Sequence, residues 1–317
     1  MKIVALAGGV GGAKLADGLY RALPAGQLTV VVNTGDDFTH FGLRICPDLD
    51  TVCYTVADKS NPVTGWGIRE ETFTTLSEIS FLDGPTWFHL GDKDLATHLV
   101  RTQKMAEGLC LSQVTSAFCE TWGINATILP MSDDPVATIV HTKESGDLAF
   151  QEYFVRRSSQ PIVTGFTFNG IETARPAPGV LESIEAADAV VFCPSNPWVS
   201  IAPILAVKGI QEAVKKKPIV AAVSPLIGGQ ALKGPAAKMF LELGWQPSAR
   251  AVVEQYRGII NSFFLDTMDA SDCDEIRQWG IIPITTDIVM KDIAGRIRLA
   301  NEMLEYISIQ LGGMRHS

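Results

Sequence analysis

The feature that most constrains this chain is a set of three short apolar segments, each of which ends abruptly in a loop of small, polar residues. Lys2–Ala7, Leu28–Asn33 and Ala189–Cys193 have the length and apolar character of strands buried on both faces of a sheet. Gly12–Leu23 is typical of a helix, so the first two strands predict a parallel βαβ unit with a right-handed crossover. Because open parallel sheets bind ligands beyond the carboxyl ends of their strands, we expect the three loops to meet at one site.

The rest of the chain continues this alternation on either side of a region with a different character. From about residue 51 to 125, strand candidates are sparse and segments such as Leu95–Gly108 favour helix, so we interpret this region as a mostly helical insertion. Short strands are expected at Ala126–Leu129, Ala137–Thr142 and Leu148–Arg156, and within the last of these Gln151–Val155 has the composition of an exposed β-ribbon. Beyond Gly179 the predicted helices are Val180–Ala187, Lys208–Val214, Pro235–Leu243, Asp272–Trp279 and Ile288–Leu311, and the predicted strands are Ala189–Cys193, Ile219–Val223, Ile259–Leu265 and Ile281–Thr285.

These segments predict an α/β fold with a Rossmann-like, doubly wound and mainly parallel sheet in a three-layer α/β/α arrangement. A chain of 317 residues is long enough for about two average domains or one large one. No internal repeat or clear linker divides the sequence. We therefore expect a single domain over residues 1–317 that carries the helical insertion at about 51–125.

Charge and cysteine content exclude several classes of function. The net charge of -9 argues against a nucleic-acid surface, which needs a basic stripe. The six cysteines form no C-x-x-C pair, which favours reduced thiols in the cytoplasm over a zinc site. No apolar stretch reaches the roughly 18 residues of a membrane span, and glycines interrupt the apolar N-terminus too early for a signal peptide. We expect a cytoplasmic protein without a nucleic-acid or membrane partner.

The loop after the first strand is rich in glycine. Gly8, Gly9, Gly11 and Gly12 fall within five residues and precede Lys14. The segment is neither a P-loop nor a dinucleotide fingerprint, because the residue after Lys14 is leucine and the G-x-G-x-x-G register fails. A tight strand-to-helix turn would explain some of the glycines. Four exceed what one turn needs, so we favour backbone contact with a phosphate.

The loop after the second strand is acidic. Asp36, Asp37, Asp48 and Asp50 lie within fifteen residues of one another, and Asn33 and Thr34 precede them. Clustered carboxylates repel one another unless a cation or protons neutralise them. Mg²⁺, held by one or two carboxylates and by substrate phosphates, is the natural cation, and Asp48 and Asp50 are its predicted ligands. Capping of a helix remains the alternative for Asp50.

Two later loops also follow predicted strands and offer polar groups. Ser195 and Asn196 lie between two prolines, and Ser224 precedes a proline and paired glycines. Each loop alone is compatible with an ordinary turn. Because both follow parallel strands, we predict that Ser195, Asn196 and Ser224 contribute to an anion-binding site.

Taken in order, these motifs resemble the 2-phospho-L-lactate transferase family of coenzyme F420 biosynthesis, over roughly three quarters of the chain. The Pro-Asp-Leu-Asp-Thr and Met-Ser-Asp-Asp-Pro segments are the specific ones. The segments that carry the resemblance are Gly8-Gly9-x-Gly11, Asn33-Thr34, Pro47-Asp48-Leu49-Asp50-Thr51, Leu90-Gly91-Asp92-Lys93-Asp94, Met131-Ser132-Asp133-Asp134-Pro135, Pro194-Ser195-Asn196-Pro197 and Ser224-Pro225-Leu226-Ile227-Gly228-Gly229.

The resemblance implies a Mg²⁺-dependent transfer between two small molecules. The donor is a guanylyl diphosphate that carries lactate, enolpyruvate or glycerate, the acceptor is the ribityl hydroxyl of a deazaflavin, and GMP is released. By the same resemblance Asp50 meets the deazaflavin and the metal and takes the catalytic role, and Lys93 contacts the deazaflavin. The glycine loop, Asn33, Thr34, Asp36, Ser195, Asn196 and Ser224 are expected to bind the substrates. A homodimer is expected, and a nucleotide-sugar-binding regulator of the gluconeogenesis-factor type is the alternative function.

Overall fold

A seven-stranded parallel sheet runs through the protein in the computed structural model, which describes residues 1–231 and 233–314. Three further sheets of two or three strands are antiparallel. The strands are β1 (Ile3–Ala7), β2 (Leu28–Val32), β3 (Phe38–His40), β4 (Leu43–Ile45), β5 (Thr127–Pro130), β6 (Ala137–Thr142), β7 (Gly146–Ala149), β8 (Val163–Asn169), β9 (Ala189–Phe192), β10 (Val220–Val223), β11 (Leu226–Ile227), β12 (Gln230–Ala231), β13 (Ser262–Asp266) and β14 (Ile282–Thr286).

The order of the large sheet places β1 at the point where the chain changes direction. Across the sheet the strands run β14-β13-β10-β9-β1-β2-β5. From β1 the chain builds β2 and β5 on one side, and it then returns to build β9 and its neighbours on the other. Ile3 pairs with Leu28 of β2 and with Ala189 of β9. The loops that follow these three strands therefore emerge side by side at a topological switch point.

Helices cover both faces of the sheet, because alternate residues of each buried strand point to opposite sides. Val4 and Leu6 of β1 belong to one apolar core, and Ile3 and Ala5 belong to the other. The helices are α1 (Gly9–Ala22), α2 (Pro47–Val56), α3 (Thr74–Phe81), α4 (Asp92–Ala106), α5 (Leu111–Thr121), α6 (Val180–Ala186), α7 (Ala202–Ala206), α8 (Ile210–Lys215), α9 (Ala236–Glu242), α10 (Ala249–Gln255), α11 (Cys273–Gln278) and α12 (Ile293–Met314), with π-helical turns at Glu152–Arg156 and Pro197–Ile201 and a 3₁₀-helix at Thr267–Asp272. The predicted α/β fold with a parallel sheet is confirmed.

The predicted strand and β-ribbon at Leu148–Arg156 are wrong. Only Gly146–Ala149 is a strand, and Glu152–Arg156 forms a π-helical turn. In this turn Tyr153 is buried in a small apolar core, whereas Phe154 is 36% exposed. The strand at Val163–Asn169 and the helix at Ala249–Gln255 had no sequence-based prediction.

The region from Pro47 to Thr121 holds α2 to α5, in agreement with its helical prediction. The assignment of the chain to a single domain remains an interpretation. Within the described residues, no helix combines the length and the apolar character that crossing a bilayer requires.

Candidate active site

The loops after β1, β2 and β9 open into one cavity of about 640 Å³. Its wall is mixed in character, with a glycine-rich end, an acidic side, two lysines and several aromatic rings. Among the residues that line it are Gly8, Gly9, Val10, Gly11, Lys14, Asp36, Asp48, Asp50, Tyr54, Trp66, Phe88, Asp94, His98, Phe150, Gln151, Phe154, Ser195, Asn196, Ser200, Ser224 and Lys233. The structure thus brings most of the predicted site residues together.

The glycine loop forms the N-terminus of α1, which points at the cavity. Its first amides are held by neighbouring loops. The Gly8 N–H donates to Ser195 Oγ at 3.1 Å, and the same hydroxyl donates back to the Gly8 carbonyl at 2.8 Å. The Gly9 N–H donates to Asp48 Oδ1 at 2.7 Å. The next amides of the first helical turn have no earlier carbonyl to bond, and this end of a helix favours anions.

The number of glycines in this loop has an explanation within the protein. A Cβ on Gly8, Gly11 or Gly12 would come within 2.4–2.5 Å of an atom of Asp48 in α2 or of the loop after β9, and Gly9 has a positive φ of 64°. Close packing of loops and one left-handed residue therefore account for all four glycines. Backbone contact of this loop with a phosphate stays a prediction, and the helix N-terminus and the nearby cations support it.

Two lysines supply those cations. Lys14 on α1 and Lys233 both line the cavity. The Lys14 ammonium donates to the Met290 carbonyl at 2.9 Å, and the Lys233 ammonium donates to the Thr64 carbonyl. Burial, with the charges of Arg296 and Lys233, lowers the pKa of Lys14. The negative charge of a bound phosphate would favour the charged form of Lys14 and so offset its burial and the nearby positive charges. This end of the cavity is therefore suited to a diphosphate.

On the acidic side, the first group of carboxylates is bound to the protein itself. Asn33 Nδ2 donates to Asp48 Oδ2 at 2.9 Å and to Asp36 Oδ1 at 3.3 Å, and Gln151 Nε2 donates to Asp36 Oδ2 at 3.1 Å. Burial raises the pKa of Asp48 to about 6 and that of Asp36 well above its usual range. Asn33 therefore connects two acids whose burial favours the protonated form.

The second group centres on Asp50, which is 5% exposed. Its two oxygens accept from two nitrogens of the Arg101 guanidinium, Oδ2 at 3.0 Å from Nη1 and Oδ1 from Nη2. Arg101 Nη1 also lies 3.0 Å from His98 Nδ1, and His98 Nε2 lies 3.3 Å from Asp94 Oδ1. Because α2 begins at Pro47, Asp50 lies inside the helix, and the alternative that it caps the helix is wrong.

Sequence reasoning missed Arg101, which lies 51 residues beyond Asp50 on a helix of the insertion. A signal was available in α4. Asp94, His98 and Arg101 are spaced four and three residues apart, and such residues lie on one face of a helix. His98 and Arg101 are each 1% exposed, which marks that face as buried.

The same group of side chains has the geometry of a site for a divalent cation. Asp50, Asp94 and His98 each offer one ligand atom, and these atoms lie within 4.8 Å of one another. Arg101 can only donate, so His98 Nδ1 accepts, and the proton of the neutral ring lies on Nε2 toward Asp94. His98 thus orients the group, and the carboxylates of Asp50 and Asp94 are the oxygen ligands that suit Mg²⁺.

Tyr54 holds the second of these carboxylates. Its hydroxyl donates to Asp94 Oδ1 at 2.7 Å. Burial disfavours the charged form of Asp94, but the contacts with His98 and Tyr54 outweigh it and lower the pKa of that carboxyl. Asp48 lies outside this group, and its predicted role as a metal ligand stays a prediction.

Several other predicted site residues make hydrogen bonds within the protein or lie outside the cavity wall. Asn196 Oδ1 accepts from the Trp198 N–H at 3.0 Å and caps the π-helical turn, and the Ser224 hydroxyl donates to the Leu226 carbonyl at 2.7 Å. Thr34 is 1% exposed. The Lys93 ammonium donates to the carbonyls of residues 69 and 70 at 3.1 and 2.6 Å. Within the described residues, Asn33, Thr34, Gly12 and Lys93 are not part of the cavity wall.

Known proteins resemble this chain over nearly its whole length. A family model described as 2-phospho-L-lactate transferase CofD matches residues 3–297. The chain is 43% identical over 311 residues to the phosphoenolpyruvate transferase of Streptomyces griseus, which covers 96% of this chain and 98% of that protein. It is 40% identical over 270 residues to the 2-phospho-L-lactate transferase of Methanosarcina barkeri, which covers 85% and 87% of the two chains.

A solved structure shares the fold at much lower identity. A Bacillus halodurans protein of the UPF0052 family superposes with a TM-score of 0.65 at 14% identity, over 96% of this chain and 98% of that one. At this identity the likeness establishes the fold alone.

Proposed function

The chain belongs to the 2-phospho-L-lactate transferase CofD family, and from this membership we propose how its cavity performs the transfer. As a member, it transfers a phosphoacid moiety in the biosynthesis of coenzyme F420. The donor is the guanylyl diphosphate of a three-carbon acid, the acceptor is the ribityl hydroxyl of the deazaflavin, and GMP is the second product. The family match favours this transferase over the nucleotide-sugar-binding regulator that the sequence left open.

One observation carries the proposal: a single cavity joins a cationic helix N-terminus to a wall of carboxylates. Gly8 to Gly11 and two lysines form one end, and Asp50 and Asp94 lie on the acidic side. A transfer of this kind needs both parts of the cavity. The cationic end binds the diphosphate and stabilises the charge that develops on departing GMP, and the acidic side orients the attacking hydroxyl.

The chemistry is an in-line substitution at phosphorus. A new bond forms between the ribityl oxygen and the phosphorus that carries the acid. The bond from that phosphorus to the bridging oxygen breaks, and GMP keeps this oxygen and the electron pair. The hydroxyl proton passes to the carboxylate of Asp50. Two of the roughly four lone-pair positions of that carboxylate accept from Arg101, which leaves others for the hydroxyl.

Asp50 and Asp94 would hold Mg²⁺, which when bound neutralises charge on the diphosphate. Lys14 and Lys233 would meet the phosphate that becomes part of GMP. Lys93 could reach the deazaflavin only after releasing two backbone carbonyls, so its predicted contact requires a rearrangement.

For the acid, we propose enolpyruvate. The relative reported above that aligns over 96% of this chain is named a phosphoenolpyruvate transferase, whereas the archaeal relative named for 2-phospho-L-lactate aligns over 85%. We also propose that the protein is a homodimer and that it lies in the cytoplasm. The six free cysteines suit a reducing compartment.

The test is an assay of GMP release with the purified protein, Mg²⁺, deazaflavin and each of the three donors in turn. We expect release only when donor and deazaflavin are both present, with the enolpyruvyl donor fastest. EDTA should abolish it and added Mg²⁺ should restore it. Release without deazaflavin would indicate a hydrolase, and no release with any donor would favour the regulator.

A further inference from the structure

Two phenylalanines form a flat surface in the cavity that no prediction assigned. The rings of Phe150 and Phe154 are stacked, with centroids 5.5 Å apart and planes inclined by 14°. Both line the cavity, and Phe154 is 36% exposed. They are four residues apart across the start of the π-helical turn, which places them on one side of it.

One of the two rings packs against the protein core. Phe150 packs against the small apolar core that contains Val140, Leu148 and Tyr153. Phe154 in turn stacks on Phe150. One ring is therefore fixed by the core and the other remains open on the side that faces the cavity.

A buried polar residue, which lies between the two phenylalanines in the sequence, bonds to the acidic side of the cavity. Gln151 is 5% exposed, and its amide donates to Asp36 Oδ2 at 3.1 Å. Asp36 Oδ1 accepts from Asn33 Nδ2, which also donates to Asp48, and Asp48 accepts from the Gly9 N–H. A continuous chain of hydrogen bonds thus joins the aromatic pair to the glycine loop.

We propose that Phe150 and Phe154 are the platform on which the ring system of the deazaflavin stacks, and that Gln151 is the residue that positions this platform relative to the donor. This inference rests on the proposed function. A flat conjugated ring buries a large area against an aromatic face and gains stacking energy there. The fixed distance from the glycine loop would then hold the ribityl chain of the acceptor within reach of the donor.

The guanine of the donor is the other flat group that must bind. Selection of a purine uses hydrogen bonds to its edge, as in nucleic-acid recognition. The sequence neighbours of the platform that also line the cavity are Val155, which is apolar, and Gln151, whose Nε2 donates to Asp36. This composition suits the deazaflavin ring better than guanine.

The test measures binding of each ligand separately with Phe154→Leu and Phe150→Leu. Deazaflavin affinity is read from the change of its fluorescence on titration with protein, and GMP affinity by calorimetry, both without turnover. For each variant we expect deazaflavin binding to weaken about tenfold, since loss of one stacking partner has about this effect. GMP binding should change less than twofold.

Phe81→Leu is the matched control, because Phe81 lies on α3, is 83% exposed and is not among the cavity residues. It should change neither affinity. For the positioning role, Gln151→Met removes the hydrogen bond to Asp36 and keeps the length of the side chain. In this variant we expect kcat to fall more than deazaflavin affinity, because the acceptor still stacks but is misplaced.

The outcomes separate this inference from the function on which it rests. Wild-type protein is tested first for deazaflavin binding and GMP release, and failure of both would remove the proposed function and the platform together. If wild type passes, unchanged deazaflavin affinity in both phenylalanine variants overturns the platform alone. Weaker GMP binding with unchanged deazaflavin binding would assign the pair to guanosine instead.

Discussion

Removing either partner of the ion pair between Asp50 and Arg101 should destabilise the protein, and removing both should destabilise it less than the sum of the two single losses. Arg101 is 1% exposed and meets both oxygens of Asp50, so each single substitution leaves a buried charge without its partner. Such a loss costs about 3–5 kcal/mol. The variants are Asp50→Asn, Arg101→Gln and the double variant, in which two neutral amides can still share a hydrogen bond.

The size of the effect follows from the length of the chain. At about 2.1 cal/mol/K of unfolding entropy per residue, 317 residues give roughly 0.67 kcal/mol/K. A loss of about 3–5 kcal/mol therefore lowers the melting temperature by about 5–8 °C in each single variant. The double variant should lose less than the larger of the two singles, which corresponds to a coupling energy of about 3 kcal/mol or more.

Activity separates the structural role of Asp50 from its catalytic one. GMP release is measured well below the lowest melting temperature, at saturating Mg²⁺, donor and deazaflavin. The double variant should recover stability but remain at least about 10²-fold slower than wild type, because it lacks the carboxylate that orients the hydroxyl. Recovery of both stability and rate would show that Asp50 only holds Arg101. A melting temperature unchanged in Asp50→Asn would refute the buried pair itself.

Two further perturbations address the cavity and its surroundings. Burial raises the pKa of Asp37 to about 6, although Arg44 Nη2 lies 3.0 Å from its Oδ2. Between about pH 4 and 6 the folded protein therefore binds more protons than the unfolded chain, and the free energy of unfolding falls as pH rises through that window. From pH 5 to 7.5, the decrease in the free energy of unfolding should be on the order of 1 kcal/mol smaller in Asp37→Asn than in wild type. Equal pH profiles of the two proteins in urea unfolding would contradict this. For Lys14→Met, the loss of a charged contact to phosphate should weaken GMP binding about 10- to 100-fold and leave deazaflavin affinity unchanged, as calorimetry and fluorescence titration can show.

The sequence was sufficient for the sheet and for the place of the site. The inner strands of the large sheet are apolar and are followed by turn-forming residues, and burial on both faces demands that composition. Residues 3–7 and 189–193 therefore predicted β1 and β9, and their loops do meet at the switch point.

The partners within the site were less accessible to sequence reasoning. Arg101 meets Asp50 through the packing of α4 on the rest of the protein, and a spacing of 51 residues carries no local signal of that contact. The platform was hidden for a different reason. Aromatic residues at 150 and 154 are compatible with a strand by composition, and the contacts that accompany the helical turn, such as the hydrogen bond from Gln151 to Asp36, are tertiary.

Electrostatics explain how a protein with a net charge of -9 can hold a diphosphate beside so many acids. The acids near the cavity are paired or hydrogen-bonded within the protein. Asp50 is paired with Arg101, and burial raises the pKa of Asp48 to about 6 and that of Asp36 well above its usual range. In the proposed arrangement the donor meets the helix N-terminus and Lys14, and the paired or hydrogen-bonded acids oppose it less than free carboxylates would. Mg²⁺ would offset the charge of the diphosphate, and its second role, the neutralisation of the clustered carboxylates that the sequence suggests, stays a prediction.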